Sequence, residues 1–234
     1  MSAAQALDDL GRNTLTLLGN SILVVSGPGG VDTTAQTLGI SDHIAGRVNI
    51  APRQTLTLVN GIPDNKIVDV ACYWTPMRLE TLPSTQRRAG FARHTGIGGL
   101  YDFWFTPQIT GCTILVVDWG TQVGVVHLRP YSRAQYSGAW GFKTWTPDSW
   151  RAGFRSANRA ELTAAVAATG GTPHRYILVE TLGLASRTTV LGVRRNDKWR
   201  FYVQRSDGNN IQASRRLAWA NWSAWSGWEP ANLG

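Results

Sequence analysis

The stretch that most constrains this chain runs from Thr106 to Leu128. Two apolar, β-branched runs, Ile114-Leu115-Val116-Val117 and Val123-Gly124-Val125-Val126, flank a polar break that contains Gly120. Runs of strand length around a glycine-bearing turn predict a buried antiparallel hairpin. Cys112 opens the first strand and His127 sits near the end of the second. Antiparallel pairing folds the chain back, so these two ends come together.

Loop length decides whether they share a face. An even loop places odd positions of the second strand on the face that carries even positions of the first. With the four-residue loop Trp119 to Gln122, Cys112 lies opposite Arg129 and diagonal to His127, roughly 7–8 Å away. With a two-residue loop at Trp119-Gly120 it lies directly opposite His127, roughly 4.5–5.5 Å away. A three-residue loop without a bulge separates them.

A thiol beside an imidazole is the arrangement a cysteine nucleophile needs. Its ordinary pKa of about 8.5 falls next to an imidazolium, which maintains a thiolate at neutral pH. Gly111 would leave the sulfur accessible, and the backbone N–H of Cys112 would stand beside the tetrahedral oxygen formed by attack. The competing reading is a buried cysteine and a satisfied core histidine, both common in strands.

Ile109-Thr110-Gly111-Cys112 resembles the Leu-Ser-Gly-Cys signature of the glutamine-deamidating toxins typified by cytotoxic necrotizing factor and Burkholderia lethal factor. In the necrotizing factors the catalytic His follows the Cys at the interval seen between Cys112 and His127. Lethal factor has a somewhat shorter interval and carries a catalytic-site Thr six positions before the Cys, where Thr106 stands. Ile for Leu and Thr for Ser depart from the signature, and the resemblance is confined to this stretch. It implies a cofactor-free enzyme in which Cys112, His127 and Thr106 are catalytic, with Gly111 and Cys112 at the oxyanion. It also implies a host protein substrate bearing the target Gln, and further polar and aromatic residues past the histidine. Tyr131 and Gln135 are the candidates there. Synthesis in a bacterial cytoplasm without a signal peptide, followed by secretion or delivery into a host cell, completes that expectation.

The remaining chain sets the frame. At 234 residues, with 43% hydrophobic and 16% charged residues, it has the composition of a folded globular protein with a sizeable core. No composition break or linker divides it, so residues 1–234 read as a single catalytic domain. The fold class expected is α+β: a mixed, mainly antiparallel sheet or sandwich with flanking helices and long loops. A monomer is expected. No apolar run approaches membrane-spanning length, and the N-terminus lacks the basic and apolar regions of a signal peptide.

The net charge of +8 comes mostly from arginine and favours encounter with acidic partners. Nucleic acid is the alternative partner, with the protein then a basic, Trp-rich binding module. Another Cys-His hydrolase, such as a peptidase, is the enzymatic alternative. No metal site is expected, because His43, His94, His127 and His174 are scattered and no Cys-x-x-Cys or His-x-x-x-His occurs.

In chain order, residues 2–18 suggest an amphipathic helix interrupted at Gly11, then a strand over 21–26 and a glycine turn at 27–30 without phosphate-loop features. Residues 31–44 read as loop. Strands follow over 47–50, 55–59, 66–74 and 77–82, with Cys72 as core filling, although a Cys72–Cys112 disulfide remains open. Residues 84–99 read as a basic irregular loop whose Arg93 is a substrate-binding candidate. Residues 131–150 read as a long aromatic loop. Residues 156–168 form the best helix, with Ser or Asn caps and a Gly stop. Strands are expected over 174–182, 188–194 and 199–205. The tail carries Trp219, Trp222, Trp225 and Trp228, which either plug the core or line a groove, with Arg215 and Arg216 near enough for cation–π stacking.

Overall fold

The computed structural model describes residues 1–27, 35–75, 90–130, 171–181, 186–227 and 229–233, together with 156, 159, 160, 162–164 and 166–168. The helices α1 (Ala3–Arg12) and α2 (Thr14–Asn20) come first. Ser2 caps α1 by accepting the backbone N–H of Gln5 at 3.1 Å. The break falls at Asn13, not at Gly11, which stays helical.

Thirteen strands follow among the described residues: β1 (Ile22–Val25), β2 (Ala35–Ser41), β3 (Arg47–Ala51), β4 (Val68–Trp74), β5 (Gly90–Ile97), β6 (Phe103–Phe105) and β7 (Thr113–Asp118), then β8 to β13. The latter are β8 (Val123–Pro130), β9 (Arg175–Glu180), β10 (Arg187–Arg195), β11 (Lys198–Ser206), β12 (Ile211–Arg216) and β13 (Ala220–Asn221). They form an eight-stranded sheet, β1-β3-β2-β4-β6-β10-β11-β12, and a five-stranded sheet, β13-β9-β7-β8-β5. In the larger sheet β1/β3 and β4/β6 are parallel and the other pairs antiparallel; the smaller sheet is antiparallel throughout. The architecture is α+β, a mixed and mainly antiparallel sandwich with helices outside it.

Period-two alternation on these strands sorts the core into layers. Leu10 and Leu18 of the helices meet Leu23, Ile40, Ile50 and Trp74 on one face of the large sheet. Its other face, with Trp104, Val190 and Phe201, packs against Ile114, Val116, Val125 and Ile177 of the small sheet. The outer face of the small sheet, with Leu115, Val117 and Tyr176, is covered by Leu162, Val166 and Trp225. The described residues of 156–167 are helical, as expected.

The border of the large sheet at β1 is closed by side chains. Gln204 Oε1 accepts the Leu23 N–H at 2.8 Å, while its Nε2 donates to Leu18 O and Ser21 O at 2.6 and 2.7 Å. Thr189 Oγ1 and Gln108 Nε2 donate to Leu23 O at 3.0 and 3.1 Å, and the Gln108 N–H reaches Val25 O at 3.1 Å. These bonds satisfy groups that an edge strand otherwise exposes.

Three expectations are corrected, and one strand goes unanticipated. Part of the supposed loop at 31–44 is β2, paired with both β3 and β4. Gly39 is required there, because a Cβ would lie 2.6 Å from Ile67 Cγ2 and 2.8 Å from Leu56 Cδ1. Thr55–Val59 is a π-helical turn and not a strand, with the Asn60 N–H donating to Thr55 O at 3.1 Å. Residues 90–97 of the supposed basic loop are the edge strand β5. Finally, β12 is a strand that periodicity missed, since its polar Gln-Ala-Ser-Arg-Arg segment lacks apolar alternation.

The tryptophan tail serves packing. Trp222 and Trp225 stack at 5.1 Å, both meet the Tyr176 ring edge-on, and Trp225 Nε1 donates to Thr163 Oγ1 at 2.8 Å. The cation over Trp219 is Arg175, at 4.5 Å, in place of Arg215 or Arg216. Residues 28–34, 76–89, 131–155 and Trp228 lie outside the described residues, and with them the glycine turn, the strand at 77–82 and the aromatic loop.

Candidate active site

Residues 106–112 carry the chain from β6 in the large sheet to β7 in the small one. The crossing is held by main-chain bonds: Ile109 and Thr188 exchange N–H···O bonds at 2.8 and 3.0 Å. Cys112 O accepts from both the N–H and the hydroxyl of Thr181, at 3.1 and 2.8 Å. The residue before the cysteine, Gly111, adopts φ +80°, a left-handed conformation that costs other residues about 1–2 kcal/mol. A Cβ there would meet nothing within 4 Å. Backbone conformation, more than steric clearance, is therefore what glycine supplies.

The hairpin has the four-residue loop. Asp118 pairs with Val123, and the Trp119 N–H donates to Gln122 O at 3.0 Å. Asp118 Oδ1 accepts the Gly120 N–H at 2.7 Å, and Gly120 takes φ +86°. Ile114 is thus the direct partner of His127. Continuing the register puts Cys112 opposite Arg129 and diagonal to His127, on the face that looks toward the large sheet. Thiol and imidazole share that face.

Thr106 joins them from the other sheet. Its Oγ1 lies 2.9 Å from His127 Nδ1 and donates to Thr75 O at 3.0 Å. A hydroxyl has one proton, so with that proton on Thr75 the oxygen accepts from Nδ1–H. In the neutral ring that arrangement corresponds to the Nδ1–H tautomer, whose Nε2 is the basic nitrogen. Thr75 is itself fixed, because its N–H reaches Phe105 O at 3.1 Å and its Oγ1 accepts from Trp104 Nε1 at 2.9 Å.

All three side chains are deeply set: Cys112 is 3% exposed, His127 2%, and Thr106 fully buried. Thr110, two residues before the cysteine, is exposed, and Gly111 is half-buried. Cys72 and Cys112 are both free thiols, which closes the disulfide question. Cys72 lies in the core beneath the helices, and burial pushes its thiol up to about 12.

Of the other candidates, Arg93 is on β5 as the register partner of His127. Tyr131 and Gln135 lie outside the described residues. Among the described residues, no three His, Cys, Asp or Glu side chains assemble as a metal site. Thr75 and Thr181 were not foreseen. Each follows a strand whose run is legible, but their bonds span 31 and 69 residues of sequence, and no local pattern encodes that.

No family model matches the chain, and no curated protein matches it in sequence. Among solved structures it is similar to the C-terminal domain of CNFy from Yersinia pseudotuberculosis. Identity is 10%, the TM-score is 0.37, and the match covers 79% of this chain and 72% of that one.

Proposed function

We propose that this chain is a cysteine hydrolase of the carboxamide class, converting a Gln side chain of a host protein to Glu. The observation that carries the reading is the Thr106–His127 hydrogen bond, read with the Thr106 hydroxyl donating to Thr75 O. It leaves Nε2 as the proton acceptor, on an imidazole that shares a sheet face with Cys112. The N-terminal segment, both sheets and the tail act together as one catalytic domain, and the target is met in the host cytosol.

In this mechanism His127 Nε2 takes the proton of Cys112 Sγ, and the thiolate attacks the carboxamide carbon. Backbone N–H groups at Gly111 and Cys112 stabilise the tetrahedral oxyanion. His127 returns the proton to the nitrogen, the C–N bond breaks, and ammonia leaves a thioester. Water, deprotonated by His127, adds to the thioester, and the C–S bond breaks to give Glu and free thiol. One water is consumed and one ammonia released. Substrate reaches the sulfur past Thr110 and Gly111.

The test is mass spectrometry of host lysate treated with the full chain. A gain of about one dalton at a Gln, lost in Cys112→Ala and His127→Ala proteins that remain folded, supports deamidation. New peptide termini indicate a peptidase, and salt-dependent binding untouched by Cys112→Ala indicates a binding module.

A further inference from the structure

A second feature lies on the face of the large sheet that carries Arg47 and Asn49. Together with Thr55, Asn60, Gln108 and Arg187, they line a cavity of about 310 Å³. Asn49 is 6% exposed, and its Nδ2 has no hydrogen-bond partner among the described residues. A buried amide donor left without an acceptor is unfavourable, and a ligand oxygen would relieve it.

The charged side chains among the described lining residues, Arg47 and Arg187, are both cationic. Arg47 donates from one terminal nitrogen to Gly208 O at 2.8 Å and Asn209 Oδ1 at 3.3 Å, which orients the guanidinium without neutralising it. Arg187 is exposed, and none of the described lining residues is acidic. Asp207, between lining residues Ser206 and Gly208, turns its carboxylate to the Asn209 and Asn210 N–H groups at 2.8 and 2.7 Å and is not itself a lining residue. Two guanidinium groups and a buried amide donor together fit a carboxylate.

The π-helical turn that supplies Thr55 and precedes Asn60 adds an apolar surface beside the lining residues, though not in the lining itself. It leaves Leu58 74% and Val59 77% exposed. A free small anion would leave such a surface uncovered, whereas an acidic residue flanked by apolar ones would cover it. We propose that this cavity receives an Asp or Glu side chain from an acidic segment of a protein partner. Gln108 is four residues from Cys112, so at most about 14 Å separates their α-carbons. A partner seated here is held near the thiol.

This inference goes beyond the proposed chemistry and is tested without it, on the Cys112→Ala chain. The probes are acetyl-Leu-Glu-Val-amide, acetyl-Leu-Gln-Val-amide and free glutarate, followed by ¹⁵N NMR of the Asn49 side-chain amide. The Glu tripeptide should shift that resonance saturably and bind about tenfold tighter than either other probe. Arg187→Gln, at an exposed position, should weaken it about tenfold. Absence of saturation, equal binding of the Gln tripeptide, or no effect of Arg187→Gln overturns the carboxylate assignment. Glutarate binding as tightly as the Glu tripeptide overturns the protein segment as occupant.

Discussion

Thr106 Oγ1 stands 2.9 Å from His127 Nδ1, and the two residues belong to strand systems of different sheets. The imidazole is therefore oriented by the packing of one sheet on the other, with Thr75 as the fixed point behind it.

Thr106→Val keeps the shape but removes the acceptor of Nδ1–H and the donor to Thr75 O. Under the proposed function, kcat should fall about 100-fold, with little change in KM. Thr106→Ser should restore most of it. ¹⁵N chemical shifts of the His127 ring provide the decisive readout, since the valine protein should show a mixed or inverted tautomer. Unchanged ring shifts would remove Thr106 from the orienting role.

The two thiols should respond differently to iodoacetamide. Burial raises the Cys72 pKa from 9.0 to about 12, so the folded chain should resist labelling at Cys72 between pH 7 and 9. Labelling of native protein should fall on Cys112, and Cys112→Ala should abolish it. A linked stability effect follows. The folded state retains the Cys72 proton above pH 9.0 while the unfolded state loses it, so this contribution is present below 9.0 and declines toward about 12. Cys72→Ala should flatten that alkaline limb in denaturant titrations.

Glycine at 39 and at 111 should fail to tolerate alanine for different reasons. At Gly39 a Cβ collides with Ile67 and Leu56, and overpacking of this kind costs about 1–3 kcal/mol. At Gly111 there is space, and the cost is conformational, about 1–2 kcal/mol. Gly111→Asn should be milder than Gly111→Ala, because Asn enters the left-handed region more readily. Chemical denaturation of the three variants measures this, and equal costs at 111 for Asn and Ala would count against the backbone explanation.

Gln204 is buried and makes bonds to Leu23 N, Leu18 O and Ser21 O. Gln204→Leu fills similar volume but leaves main-chain groups unpaired, at about 1–3 kcal/mol for each buried group. A loss of about 3 kcal/mol or more is expected, with hydrogen exchange accelerated at the Leu23 amide. Protection at Leu23 that survives the substitution would show another partner for that N–H.

The hairpin was legible because its signal is local: β-branched runs, a glycine and an Asp that binds its own turn. Its face parity followed from counting, and the four-residue loop was one of two lengths consistent with a shared face. The π-helical turn at Thr55–Val59 was misread because Thr, Leu and Val have strand preferences, yet Leu58 and Val59 face solvent there. Strand β2 was hidden by Gly39, whose missing side chain answers a close approach of Ile67 and Leu56 that no local window contains. The hydroxyls of Thr75 and Thr181 belong to the same class, since their partners come from remote strands.

The side-chain seal along β1 also bears on self-association. With Leu23 and Val25 already engaged by Gln204, Thr189 and Gln108, that margin offers little template for a second chain to zip onto. On that margin, loss of Gln204 would free the Leu23 N–H alone, while Thr189 and Gln108 still hold the carbonyls of Leu23 and Val25, so the margin stays mostly closed to intermolecular β-assembly.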